Sequence, residues 1–141
     1  ILVVLHPPAR PLIDTESDSN NNAIVLRLTY GRVSFILASD IEAVAEAYLV
    51  READSLEATV LQVPHHASAT SSTPPFLAAV DTLVAIVSVG QENPYGHPRP
   101  EVLERLEARV GERLFLTARD GTVRITTDSE RLWVEPFRGS P

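Results

Sequence analysis

Cysteine is absent from the 141 residues, so no disulfide, thiolate metal site or cysteine nucleophile can exist. Any metal ion must then be held by histidine, carboxylate and water. Lysine is absent too: the 12 basic residues are all arginine, scattered among 19 acidic ones, and the formal charge is -7. Phosphate contacts need clustered Lys or Arg, which argues against a simple basic nucleic-acid surface. Handling phosphate would require cations from elsewhere, such as bound metal ions. No apolar run approaches the roughly 20 residues of a membrane helix, and no stretch has the form of a signal peptide. No methionine stands first, which predicts a fragment of a longer chain. G-x-x-x-x-G-K-S/T, G-x-G-x-x-G and G-x-S-x-G are missing as well, removing the usual support for nucleotide triphosphate, dinucleotide and serine-elbow chemistry.

What is present suits one domain, or one piece of a larger one, over residues 1–141: 44% apolar and 22% charged residues are ordinary globular values. "ILVVLH" reads as a buried strand closed by Pro7 and Pro8. The polar stretch from Ala9 to Asn22 reads as a long loop, mobile or binding, with disorder as the alternative. "AIVLRLTYGRVSFILAS" reads as a hairpin turning at Tyr30, Gly31 and Arg32, with Ile24, Leu26 and Leu28 on one face and Val33, Phe35 and Leu37 on its partner. Ile41, Val44, Ala45, Tyr48 and Leu49 then recur at helical spacing, with Glu42, Glu46 and Arg51 opposite. A strand over 58–63, a short helix over 75–80, the doubly apolar strand "LVAIVSVG" and a helix striped by Val102, Leu103, Leu106 and Val110 follow. Three short strands end the chain, the first two turned by Asp120 and Gly121. The class is α/β, a mixed β-sheet with helices largely on one face, and one sheet is the economical drawing.

Strand ends in such a sheet gather polar residues on one rim, where α/β sites form. Asp40, the His65 and His66 pair and His97 share that placement. Each has a plainer role. Asp40 could be the N-cap of the Ile41 helix, compatible with ligation by its other oxygen. The histidine pair could be a polar turn; adjacent strand residues point opposite ways, so at most one would aim at a given metal. His97 could be a loop residue stiffened by Pro94, Gly96 and Pro98. Ser68, Ser71 and Ser72 suit helix caps or phosphate hydrogen bonds better than nucleophilic catalysis, which needs a base and an orienting acid.

"NNNAIVLRLTYGRVSFILASDIEAVAEAYL", "VLQVPHHASATSS" and "VAIVSVGQENPYGHPRPEVLERLEA" together resemble the carboxy-terminal half of the metallo-β-lactamase-like domain of the ComEC family of bacterial competence proteins. There the segments run as an asparagine-rich turn, a strand ending in Gly-Asp, a His-His-Gly-Ser motif and a Tyr-Gly-His-Pro motif. The resemblance spans about His6 to Thr127. It implies half of an αββα sandwich, with Asp40 as the metal-bridging aspartate and His66 as a later metal ligand. By the same resemblance His65 would support the metal ligands or face the substrate, and His97 would sit near the substrate phosphate or support the site, both as catalytic candidates; Ser68, Ser71 and Ser72 stay candidates for substrate-phosphate hydrogen bonds or caps. Divalent metal, zinc or manganese, would be the cofactor of the full-length domain. DNA, and a membrane channel domain of the same polypeptide, would be the partners of an extracytoplasmic unit that cuts the strand not imported. The alternatives are a degenerate module that guides DNA or contacts the channel, or another hydrolase of the superfamily. Two positions depart from the family pattern: Ser39 and Ala67 stand where glycine is expected, and both add a Cβ where a turn could need positive φ. The superfamily's His-x-His-x-Asp-His cluster is absent from the chain, which implies that it lies upstream of Ile1 and that this piece alone is inactive.

Overall fold

The computed structural model describes residues 1–138. Its main sheet has six strands in the order β1 (Leu2–His6), β2 (Val25–Tyr30), β3 (Val33–Leu37), β4 (Val60–Gln62), β5 (Val84–Val87) and β6 (Leu114–Leu116). β1, β2 and β3 pair antiparallel, whereas β3 to β6 run parallel. The parallel strands are joined by α1 (Ala43–Glu52), α2 (Pro74–Val80) and α3 (Pro100–Val110). Strands that follow in chain order across a sheet, joined by crossovers of one hand, put every connecting helix on the same face. The core shows the result: Val25, Ile36, Leu61, Ala85 and Leu114 of the sheet share one cluster with Ala45 and Leu49 of α1, Phe76, Leu77 and Val80 of α2, and Val102, Leu106 and Val110 of α3.

The opposite face is different. Register aligns Leu2 and Val4 of β1 with Leu28 and Leu26 of β2, and these with Phe35 and Leu37 of β3. Leu2 and Val4 are each 62% exposed, Leu28 39% and Leu37 41%. The hairpin alternation is therefore real, but the Leu26 and Leu28 face is the open one, and the core side carries Val25 and Ile36. β1, expected to be buried, is an exposed edge strand with neighbours on one side only.

Further departures have local causes. The polar segment before β2 is ordered by its asparagines: Asn22 exchanges hydrogen bonds with the backbone of Leu12, and Asn21 Oδ1 accepts the Ala45 N–H inside the first turn of α1. That bond supplies the cap that Asp40 does not. α1 starts at Ala43 with Glu42 in the N-cap position, so Asp40 lies in the preceding turn. Glu42 and Glu46, expected on the solvent side, are buried at 7% and 0% exposure. At the carboxy-terminal side, Asp120 and Gly121 do not turn a hairpin. Thr117–Asp120 forms a helical turn, α4, and Asp120 Oδ2 accepts the Leu116 N–H at 2.9 Å. β6 joins the main sheet, while β7 (Thr122–Thr127) and β8 (Leu132–Phe137) pair only with each other. The one-sheet drawing is thus corrected to a six-stranded sheet plus a hairpin. The hairpin is tied to the main sheet where the Arg32 N–H donates to Ser129 O.

Candidate functional site

The loops after β3, β4 and β5 leave the same edge of the parallel strands, and hydrogen bonds lace them together. Gln62 Oε1 accepts the N–H groups of Ala38 and Ser39, the His65 N–H donates to Ser39 O, and the Arg99 N–H donates to Ala67 O. Asp40, His65, His66 and His97 are thereby brought to one rim. The histidine pair does not sit in a strand. His65 (φ 49°), His66 (φ 54°) and Ala67 (φ 61°) form a left-handed turn after Pro64, so strand alternation does not set their directions. Ser39 also has positive φ, at 52°. Both positions where glycine was expected do need the left-handed region, which disfavours a residue with a Cβ by about 1–2 kcal/mol.

His66 Nδ1 lies 2.6 Å from Ser88 O. A carbonyl only accepts, so Nδ1 carries the proton and Nε2 keeps its lone pair. Nε2 is 3.6 Å from Asp40 Oδ1, with both side chains about half exposed, 47% and 48%. An imidazole that donates one nitrogen to a backbone carbonyl and offers the other is arranged as metal-ligating histidines are. The donor set is nonetheless short: among the described residues no group of three or more His, Cys, Asp or Glu side chains could hold a metal ion. Asp40 and His66 fit two corners of such a site and do not complete one.

His97 lies across from the pair. Its ring stacks on Tyr95 with centroids 6.1 Å apart and meets His65 edge-on at 5.7 Å. Asn93 fixes the loop, accepting the His97 N–H and donating to His97 O. Desolvation, followed by proximity to His65, Arg99 and His66, pushes the His97 imidazole below its ordinary pKa. His66, Ser88, Asn93, Tyr95 and His97 line a cleft of about 340 Å³.

The serines lie inside the loop. Ser68, Ser71 and Ser72 are buried at 6%, 1% and 0% exposure. Ser71 Oγ donates to backbone carbonyls of Pro64 and Ser68, and Ser68 Oγ pairs with Thr70. The Ser68 and Ser71 hydroxyls hold the loop from within, whereas Ser72 Oγ has no hydrogen-bond partner among the described residues.

Sequence reasoning missed Glu42 and Glu46. Glu42 Oε1 accepts from Thr70 Oγ1 at 3.1 Å and lies 3.3 Å from His65 Nδ1, while Oε2 accepts from Asn21 Nδ2. Glu46 accepts the N–H groups of Ser72 and Thr73. The available signal was the density of small polar donors on either side, "NNN" and "SATSST", which need an acceptor when they fold inward.

The chain is 34% identical over 107 residues to ComE operon protein 3 of Bacillus subtilis, covering 76% of this chain and 14% of that protein. It is 35% identical over 124 residues to Recombination protein 2 of Haemophilus influenzae (88% and 15%) and 34% over 115 residues to Competence protein ComA of Neisseria gonorrhoeae (81% and 16%). The chain belongs to the ComEC family of competence proteins. No family model matches it. It spans about one seventh of the length of these ComEC-family relatives. No helix among the described residues is long and apolar enough to cross a membrane.

Proposed function

We propose that the chain is one part of a DNA-uptake protein and lends Asp40 and His66 to a divalent-metal site that hydrolyses phosphodiesters of the strand not imported. The observation that carries the reading is His66: Nδ1 is fixed on Ser88 O, and Nε2 is left beside the Asp40 carboxylate on an open rim. A divalent cation, zinc or manganese, would supply Lewis acidity and offset the phosphate charge that an acidic chain repels. A catalytic zinc takes three or more protein ligands, so the remaining donors come from outside this chain. The open apolar face of the sheet supports that view, since a second layer belongs there under the αββα reading. A membrane channel partner and an extracytoplasmic placement, both implied by the family resemblance, belong to the same proposal.

The chain alone is expected to show no metal-dependent cleavage of DNA, and turnover abolished by Asp40→Ala would overturn this. A polypeptide extended upstream should bind divalent metal and cleave. In it, Asp40→Ala and His66→Ala should each lower the rate by about 100-fold or more, beyond the 10–100-fold typical of outer-shell partners. The second reading, a module that guides DNA without cutting it, is favoured by the incomplete donor set. Metal analysis of the extended polypeptide separates them: no bound metal and no cleavage selects the module.

A further inference from the structure

Glu42 is a carboxylate buried beneath the rim with its side chain 10% exposed, and the hydrolytic reading gives it no role. Among the described residues it has no Arg partner; its neighbours are neutral donors and one imidazole. Thr70 Oγ1 (3.1 Å) and Asn20 Nδ2 (3.4 Å) donate to Oε1, Asn21 Nδ2 (3.2 Å) donates to Oε2, and His65 Nδ1 stands 3.3 Å from Oε1. Two loops and α1 therefore converge on one acceptor, and the group they orient on the rim is His65.

We propose that Glu42, together with Thr70, is a positioning residue that holds the His65 imidazole in a single orientation and tautomer, with Nε2 as its free nitrogen. An ionised carboxylate only accepts, so each group facing it must present a hydrogen. The Thr70 hydroxyl has one proton, and the charged oxygen is its strongest acceptor, since charge-assisted hydrogen bonds exceed neutral ones about twofold. With that proton on Glu42, the Thr70 oxygen faces His65 Nδ1 at 3.5 Å as an acceptor. Both neighbours of Nδ1 thus call for a hydrogen there. Neutral His65 is then the Nδ1–H tautomer, which puts the lone pair on Nε2. The His65 ring meets His97 and His66 with centroids at 5.7 and 6.4 Å, so that lone pair belongs to the rim cluster.

The arrangement repeats a pattern two residues apart. Asp40 stands beside His66, and Glu42, one residue before α1, stands beside His65. The first carboxylate is half exposed and the second is buried. The exposed pair offers donors to the solvent side, and the buried pair fixes a ring from below. A fixed Nε2 lone pair accepts a hydrogen bond from a water or a protonated oxygen in the site. This role rests on the hydrolytic reading above, whereas the tautomer does not.

The test uses the 15N-labelled chain and long-range imidazole 1H–15N correlations, recorded well above the ordinary histidine pKa of about 6.5. Wild-type His65 should be the Nδ1–H tautomer. In Glu42→Leu it should shift towards the Nε2–H form that free imidazole favours. Glu42→Gln keeps an acceptor oxygen and the side-chain shape, so it should keep the Nδ1–H tautomer while the Nδ1 proton exchanges with water at least about tenfold faster, because a neutral acceptor holds it less tightly. An Nε2–H tautomer in the wild type overturns the proposal, and so does an unchanged exchange rate in Glu42→Gln, which stands even if Glu42→Leu does not fold. In the upstream-extended polypeptide, Glu42→Gln should lower kcat by about 10–100-fold with KM little changed; a change confined to KM overturns the positioning role. If that polypeptide cleaves nothing, the hydrolytic reading fails, and the tautomer and exchange rate still decide whether Glu42 orients His65.

Discussion

Glu46 lies in the first turn of α1 with none of its surface exposed, and its two oxygens accept the N–H groups of Ser72 and Thr73 at the entry to α2. Arg105 of α3 closes the same corner by donating to Ser72 O at 3.0 Å. Burial pushes the Glu46 carboxyl above its ordinary pKa, against the lowering effect of hydrogen bonds from Thr73 and Ser72 and the charge of Arg105. A carboxyl with a raised folded pKa binds its proton more tightly in the native state. Its contribution is therefore fully present below the unfolded value of 4.5 and declines as pH rises through the raised folded value. Glu46→Ala leaves two backbone donors buried without partners and is expected to destabilise by about 2–4 kcal/mol. In denaturant melts the gap between wild type and Glu46→Ala should be widest below pH 4.5 and narrow above it; a gap that widens with pH would contradict the direction of the shift. Of the site, Asp40, His65, His66 and His97 were legible because each follows an apolar run that had to be a strand. Glu42 and Glu46 were not, because helical periodicity put them with Arg51, and only the loops over 15–23 and 68–73 bury them. The contacts that do so lie more than 20 residues away in sequence.

The hairpin of β2 and β3 was legible from alternation and from Gly31, and the structure gives that glycine a second task. Its φ is 59°, and a Cβ there would run into the backbone oxygen and Cβ of Ser129, between β7 and β8. The same tight approach allows the Arg32 N–H to donate to Ser129 O at 2.7 Å. Gly31→Ala combines left-handed strain with a clash against backbone and is expected to destabilise by about 2–4 kcal/mol. Amide hydrogen exchange should show the loss first at Arg32 and across β7 and β8, with β4 and β5 still protected. Uniform loss across both sheets would mean that the hairpin is not a separable unit. β5 and α3 were legible because a doubly apolar run and a clean apolar stripe each leave one solution. The partition of β6 from β7 was not: "RLFLT" and "TVRITT" pair equally well as a local hairpin, and the choice is made by β5, 27 or more residues earlier, together with the Asp120 carboxylate. That carboxylate is held below the usual range chiefly by hydrogen bonding to Arg119 and fastens the Leu116 N–H.

At the scale of the molecule the asymmetry of the sheet is the controlling fact. All of the larger helices pack on one side, yet parallel strands are ordinarily covered on both faces. On the open side Leu2, Val4, Leu28 and Leu37 remain exposed in register across three adjacent strands, while Val60 and Val84 in the centre are buried at 2% and 4%. Contiguous apolar patches larger than a few hundred Å² are rare on monomers, and this one lies on a chain that matches about one seventh of its relatives' length. The chain by itself is therefore expected to self-associate through this face. Leu28→Lys with Leu37→Lys should hold it monomeric in sedimentation experiments, with Tm changed by no more than a few degrees, because both side chains are already about 40% exposed. In the upstream-extended polypeptide the same pair should behave oppositely: two charges placed in a buried layer, without partners, lower stability by several kcal/mol. If the double variant is harmless in both settings, nothing covers the face, and the donors needed to complete the Asp40 and His66 site must approach from another direction.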